Sequence, residues 1–224
     1  MSESEAVADG DPACWPDAGA AYDVMADAYA AQFLTELDHK PHDRDLLSRF
    51  AEALDADGAH PVCDLGCGPG HIGAFLATVG VDVLGIDLSA AMVREARRQF
   101  PSLRFRQGDM TALPLADGEL AGIACFYALI HVPRSFVAPA VSEMHRVVRP
   151  GGQVLVAVHG GTGSLHAREM VGRPVDLKAT LFELGELRGY FTGAGFEVLD
   201  AHERAPYPGE HPTPRLYLWA SRPR

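Results

Sequence analysis

The sequence predicts an α/β fold: one doubly wound, mostly parallel sheet with helices on both faces, preceded by two cap helices. From residue 61 onward, short apolar runs alternate with helix-length amphipathic segments, which is the crossover spacing parallel strands require. The first run, Val62-Cys63-Asp64-Leu65, breaks into Gly66-Cys67-Gly68-Pro69-Gly70, so a buried strand opens into a turn that lets backbone approach a ligand. Asp64, Asp87 and Asp109 lie in or just after three successive predicted strands, so one end of the sheet collects carboxylates. At 224 residues the chain is a single domain able to bury a core without staples.

The elements follow in order. Residues 1–18 carry Ser, Glu, Asp, Gly and Pro and predict a flexible tail, residues 19–58 the cap helices, and residues 59–224 the ligand-binding domain. From Ala20, Tyr22, Met25, Ala26, Tyr29, Phe33, Leu34 and Leu37 recur at helical steps, and Pro41 is expected to end that helix. A second helix spans 43–54, with Leu46, Leu47, Phe50 and Leu54 inward. Strands are expected at 61–65, 81–87, 103–107, 120–127, 153–158, 196–203 and 215–220. Between them, helices are expected at 71–79, 90–100 (capped by Ser89, stopped by Pro101), 134–148 (opened by Pro133) and 180–193. The Gly-rich run from Gly160 opens a long excursion to about Asp176, which with the 206–213 loop is expected to form the wall of a pocket.

Composition disfavours several functions. With 30 acidic against 19 basic residues and a formal charge of −11, there is no basic footprint for nucleic acid or an anionic membrane. No apolar run reaches the ~20 residues that span a bilayer, and the acidic Met1-Ser-Glu-Ser-Glu start is unlike a signal peptide, so a cytoplasmic location is expected. Cys14, Cys63, Cys67 and Cys125 are not spaced as metal ligands and are assigned to core or turn; no metal is expected. The sequence leaves the oligomeric state open.

Two ligands compete for the glycine turn. Gly68-Pro69-Gly70-His71-Ile72-Gly73 fits the dinucleotide pattern G-x-G-x-x-G, with Asp87 at a suitable distance for a ribose. Asp64 ahead of the glycines argues the other way, because it would repel a pyrophosphate and attract an ammonium group. With Asp87 ending Val83-Leu-Gly-Ile-Asp and Asp109 following Leu103-Arg-Phe-Arg-Gln-Gly, and with Val148-Arg-Pro-Gly-Gly152 ahead of the next strand, the chain resembles the class I S-adenosylmethionine-dependent methyltransferases from about Tyr22 onward. The resemblance implies a Rossmann-like sheet of seven strands whose last strand runs antiparallel between the two before it. It also implies S-adenosylmethionine as cofactor.

The sheet topology places ligands beyond the carboxyl ends of the strands, beside strand one. There Asp87 is the ribose acceptor, since a carboxylate can take both hydroxyl protons. Asp109 is assigned the adenine amino group, with Met110 and Leu88 on the ring faces and Met92 behind. By resemblance Asp64 lies near the methionine ammonium, directly or through water, and Gly66, Cys67, Gly68 and Gly70 form the backbone cradle. For each acid singly the plain alternative is a turn or helix-cap carboxylate. Tyr29 and Tyr22 would close over the methionine end, and Lys40 or Arg44 could meet its carboxylate; packing and a solvated charge cluster are the alternatives.

Methyl transfer to an activated electrophile asks a protein for alignment, desolvation and removal of one proton where the nucleophile needs it. His131, just past strand four in Tyr127-Ala-Leu-Ile-His131, is the first candidate base, and His159 at the end of strand five the second. His131, Tyr127, His159 and His211, the last in the Pro-rich 206–213 loop, are the substrate-binding candidates, and Tyr127 is also a cofactor-binding candidate. The expected activity is methylation of an O, N or activated C of a small molecule. The Ala-, Gly- and Arg-rich usage is associated with high-GC bacteria, where such enzymes serve natural-product metabolism. A protein or nucleic-acid methyltransferase and a cofactor-binding protein without turnover are the alternatives.

Overall fold

The structure is a computed structural model that describes residues 17–54 and 60–224. The tail expected over 1–18 and Cys14 thus fall almost wholly outside the described residues. Seven strands form the main sheet: β1 (Val62–Leu65), β2 (Val83–Asp87), β3 (Arg104–Gln107), β4 (Leu120–Phe126), β5 (Val148–His159), β8 (Glu197–Arg204) and β9 (Arg215–Ser221). Their order is β3-β2-β1-β4-β5-β9-β8. The first five are parallel, and β9 lies antiparallel between β5 and β8, as the resemblance implied.

The order reverses beside β1, so the carboxyl ends of β1 and β4 diverge there and leave a crevice. β1 and β4 are buried along their whole length, as central strands covered on both faces must be. One face packs under α5 (Arg134–Val147) and α6 (Leu184–Gly193) through Val137, Val141, Met144, Leu187 and Phe191. The other packs under α2 (Pro41–Ala53) and α3 (His71–Thr78) through Leu46, Leu47, Phe50, Ile72 and Leu76. Each such fully buried side chain contributes ~1.5–3 kcal/mol. α4 (Ala90–Gln99) begins as its Ser89 cap dictates: the hydroxyl oxygen accepts from the Met92 N–H at 3.0 Å.

The structure departs from the expected elements in two places. α1 (Ala18–Phe33) ends before Leu34, a 3-10 turn covers Glu36–His39, and Pro41 opens α2 instead of closing the preceding helix. The ring presets φ and the missing N–H has no partner in a first turn anyway, so either side of Pro41 suits a helix boundary. The excursion after Gly160 is ordered: β6 (Ser164–Met170) and β7 (Arg173–Thr180) form an antiparallel hairpin outside the main sheet. Its two turn residues, Val171 and Gly172, have φ of 49° and 72°, the left-handed pair that usually reads Asn-Gly in sequence. A β-branched residue in that region hides the turn.

Cys63, Cys67 and Cys125 are buried free thiols, and no described group of His, Cys, Asp and Glu is arranged to hold a metal. No described helix is long and apolar enough to cross a membrane.

The Gly152 position in β5 is closed to a side chain: a Cβ would lie 2.6 Å from the Ala121 carbonyl oxygen and 2.9 Å from that of Arg149. Gly152→Ala should therefore destabilise the fold by ~1–3 kcal/mol through overpacking. Urea unfolding checks it: the midpoint should fall with the slope unchanged, and an unmoved midpoint would refute the packing argument.

Candidate active site

The crevice widens into a cavity of about 1150 Å³ above the carboxyl ends of β1, β2 and β4. Its floor is the glycine turn. Gly66 and Cys67 donate their N–H groups to the Ile86 carbonyl at 2.7 and 3.1 Å, fastening the turn to β2. At Gly66, with φ of 73°, a Cβ would collide with that of Ala128, so the turn must press bare backbone against the segment after β4. Gly70, at φ 90°, starts α3 beneath the Phe105 and Phe100 rings and does not line the cavity.

Asp87 lines the cavity, and each carboxylate oxygen holds one backbone donor: Gly68 N–H on Oδ2 and Ser89 N–H on Oδ1, both at 2.8 Å. Burial raises its pKa while these two bonds pull it down. Each oxygen keeps a second lone pair. Leu88, Met92, Asp109 and Met110 continue the same wall. Asp109 spends Oδ1 on the N–H and hydroxyl of Thr111, at 2.8 and 2.7 Å, which is the turn-capping role given above as its alternative.

Asp64 departs from its expected position. It is 1% exposed, does not line the cavity, and its Oδ2 accepts the Gly73 N–H at 2.8 Å inside α3. Burial pushes its carboxyl up to about 7, against the pull of His71 and the Gly73 N–H. The ionised carboxylate at that end of the cavity is Glu36, which the sequence reading missed. Burial opposes its ionisation, yet His71 Nε2 at 2.8 Å and Lys40 Nζ at 2.7 Å bring it down to about 2. Lys40 lines the cavity 4.8 Å from the Tyr127 ring centroid, whereas Arg44 turns to Asp38 and the Phe75 ring. His71 Nδ1 is buried with no hydrogen-bond partner among the described residues.

The roof comes from α1 and the β6–β7 hairpin. Tyr22 and Tyr29 meet edge to face at 5.4 Å, and both line the cavity. Burial, with the nearby Asp87 and Glu36 charges, raises both phenols. Asp23 ties α1 down by accepting from the Ser89 hydroxyl at 2.5 Å and the Ala91 N–H at 2.9 Å.

The histidines stand on the remaining wall. His131 ends a 3-10 turn, Leu129–His131, and its Nδ1 is 2.9 Å from the Lys178 carbonyl oxygen in β7. A carbonyl only accepts, so Nδ1 carries the proton and Nε2 accepts from the Tyr22 hydroxyl at 2.8 Å. Burial lowers His131 to about 4, which leaves it neutral at pH 7. His159 Nδ1 pairs with the Thr213 hydroxyl at 2.8 Å, and burial, then Arg215, lower it to about 3. The His211 ring centroid lies 6.0 Å from that of His159. Tyr127 faces the cavity with its ring, 5.4 Å from the His159 ring centroid, and donates its hydroxyl away from the cavity to the buried Asp43 at 3.2 Å. Arg215, 3% exposed and absent from the sequence reading, closes this wall by donating to the Thr213 carbonyl at 2.6 Å.

The raised Asp64 carboxyl makes stability depend on pH. Unfolded it titrates near ~3.9, and folded at about 7, so between these values the folded chain holds a proton the unfolded chain has lost. Its contribution therefore falls as pH rises across that window. Asp64→Asn keeps an oxygen for Gly73 and removes the titration. Its stability relative to the parent should climb from pH 4 to 7 and level off above, as measured by denaturation at each pH; a flat difference would refute the shift.

Residues 62–152 match the methyltransferase-domain family. The chain is 46% identical to a demethylmenaquinone methyltransferase of Beutenbergia cavernae, over 46% of this chain and 44% of that one. It is 34% identical to a malonyl-[acyl-carrier protein] O-methyltransferase of Enterobacter lignolyticus, over 69% and 62%. The chain thus spans about half the length of the curated relatives it matches. Among solved structures, a methyltransferase from Methanosarcina mazei superposes with a TM-score of 0.68 at 20% identity, covering 77% of this chain and 95% of that one. The [4+2]-cyclase SpnF gives 0.63 at 19%, covering 80% of each, so both show a shared fold. Strand order, glycine turn and domain match all agree with the resemblance to the class I S-adenosylmethionine-dependent methyltransferases.

Proposed function

We propose that the chain binds S-adenosylmethionine and methylates an O, N or activated C of a small molecule. The observation that carries this reading is the Asp87 carboxylate at the end of β2, held by Gly68 and Ser89 with lone pairs left toward the cavity. The cavity fits the cofactor on its own chemistry. The turn presents backbone without side chains at Gly66 and Gly68, and an unpaired buried His71 nitrogen lies beside the Glu36–Lys40 ion pair.

In this reading Asp87 accepts from the ribose hydroxyls, while Asp109 accepts from the adenine amino group with Met110 and Leu88 against the ring. Glu36 takes the ammonium and Lys40 the carboxylate of the methionine part. Asp64 supports the turn from below, and Tyr29 and Tyr22 exclude water. When bound, the cofactor supplies a methyl group already activated on a sulfonium, so the chain's work is alignment, desolvation and proton removal. The acceptor is a small molecule, since the cavity is roofed by α1 and the hairpin and the charge is −11.

His131 is the base, and Tyr22 is its point of contact. The acceptor's proton passes to the Tyr22 oxygen as the Tyr22 proton passes to His131 Nε2, and the Lys178 carbonyl holds the resulting imidazolium through Nδ1–H. His159, bonded to Thr213, and His211 orient the acceptor. Of the two N-terminal helices, α1 belongs with this binding domain as its lid, and α2 belongs to its core.

Calorimetry should find micromolar S-adenosylhomocysteine binding and no NAD binding; the reverse would overturn the reading. Asp87→Ala should weaken that binding more than Asp109→Ala, since it removes two charge-assisted hydrogen bonds of ~1.5–3 kcal/mol each. Equal affinities with intact circular dichroism would refute the two assignments.

For the proton path, His131→Ala and Tyr22→Phe should each cut the single-turnover rate by ~10²–10⁴. S-adenosylhomocysteine affinity should stay near the parent's in His131→Ala. The parent's rate should fall only as pH drops toward about 4, where Nε2 gains a proton. A normal rate in Tyr22→Phe would remove the tyrosine from the path.

A further inference from the structure

The hairpin inserted between β5 and α6 is built with one apolar face. Leu165 pairs with Ala179 across the strands and Ala167 with Leu177, and alternation puts all four on the same side. A register shift between Ala167 and Glu169 precedes Met170, which lines the cavity with these four. Several polar side chains of the hairpin are held by acids: His166 Nε2 reaches Asp176 at 2.5 Å, Arg168 reaches the same carboxylate at 3.3 Å, and Arg173 reaches Asp27 of α1 at 3.4 Å. Of the described hairpin residues that line the cavity, His166 and Glu169 are polar; His166 is held by Asp176, and Glu169 is exposed to solvent.

Four further ions of the cavity wall, Lys40, Glu36, Glu210 and Arg215, pair among themselves. Lys40 lies 2.7 Å from Glu36 and 3.9 Å from Glu210, and Arg215 lies 3.8 Å from Glu210. None of these pairs involves the hairpin. Beside the hairpin stand Ile130 and Val132 of the turn that carries His131, and Phe136, 45% exposed where the lining reaches the surface. A charged acceptor body in this lobe would lose its hydration with nothing to replace it.

We propose that the lobe between the β6–β7 hairpin and the 129–136 segment is the acceptor's specificity site, taking an uncharged, hydrocarbon-rich skeleton whose far end leaves past Phe136. The proposal rests on reading the cavity as a methyl-transfer site. It assigns to the hairpin the selection of the acceptor, while the glycine turn and the acids serve the cofactor.

Titrating the whole protein with 1-hexanol, 1-heptanol, 1-octanol and 1-nonanol, with and without S-adenosylhomocysteine, tests it. Affinity should rise about fourfold per added methylene, the ratio that ~0.8 kcal/mol per buried CH₂ sets, and 1,6-hexanediol should bind more weakly than 1-hexanol. Ala179→Asp should lower 1-nonanol affinity at least ~10-fold, the expected scale for an unpaired carboxylate in an apolar wall, and leave S-adenosylhomocysteine affinity within about twofold. Affinity independent of chain length in the parent overturns the proposal whether or not the variant folds. So does an undiminished chain-length series in Ala179→Asp. Should the alkanol series hold while S-adenosylhomocysteine fails to bind, the methyl-transfer reading falls and the apolar lobe stands.

Discussion

The Gly68 N–H bonded to Asp87 Oδ2 joins the turn after β1 to the end of β2, and the geometry of the crevice depends on it. Gly66 and Cys67 add their donors to the Ile86 carbonyl, so three successive amides of the turn point at one neighbouring strand. Backbone groups buried at a strand end need partners, and here β2 supplies them all. With the turn fixed, Gly70 begins α3, Gly73 of that helix reaches Asp64, and β1 is locked to the helix that follows it. The carboxylates therefore divide their work. Asp64 faces inward and shares its environment with α3, and Asp87 faces the cavity.

The roof depends on the floor through two polar links. Asp23 of α1 accepts from Ser89 and Ala91 at the start of α4, directly after Asp87. Tyr22, one residue earlier, reaches His131, which reaches Lys178 of the hairpin. One chain of hydrogen bonds thus joins the cap helix, the segment after β4 and β7. Since α1, Met25 and Leu177 also share a small apolar cluster, cap and hairpin are held as one unit above the cavity.

Behind the histidine wall, Asp43 of α2 is 1% exposed and accepts from the hydroxyls of Tyr217 and Tyr127 at 2.5 and 3.2 Å. Burial pushes its carboxyl up, and the hydroxyls, with Lys40 and Arg204, pull it back. Tyr127 meets this network from a φ of 56°, a region costly for a non-glycine residue. The strained backbone and the Asp43 bond together turn its ring toward the cavity and its polar end away from it. An aromatic wall results beside His159.

Local chemistry alone determined the sheet, the glycine turn, the strand-end acids and the positions of His131 and His159. Apolar periodicity, glycine breaks and proline stops act over a few residues, so one sequence displays them. The β6–β7 hairpin stayed hidden because Val171 occupies a turn position that sequence rules reserve for Asn or Gly. Asp23, Glu36, Asp43 and Arg215 stayed hidden because each matters only through partners far along the chain, such as Ser89, His71, Tyr217 and the residues around Glu210. Only the tertiary structure decided that Asp64 turns inward, that Tyr22 stands against His131, and that the cavity face of the hairpin is apolar. Burial and long-range pairing set a carboxylate's direction, a histidine's tautomer and a cavity's polarity, and neither is encoded in the spacing of nearby residues.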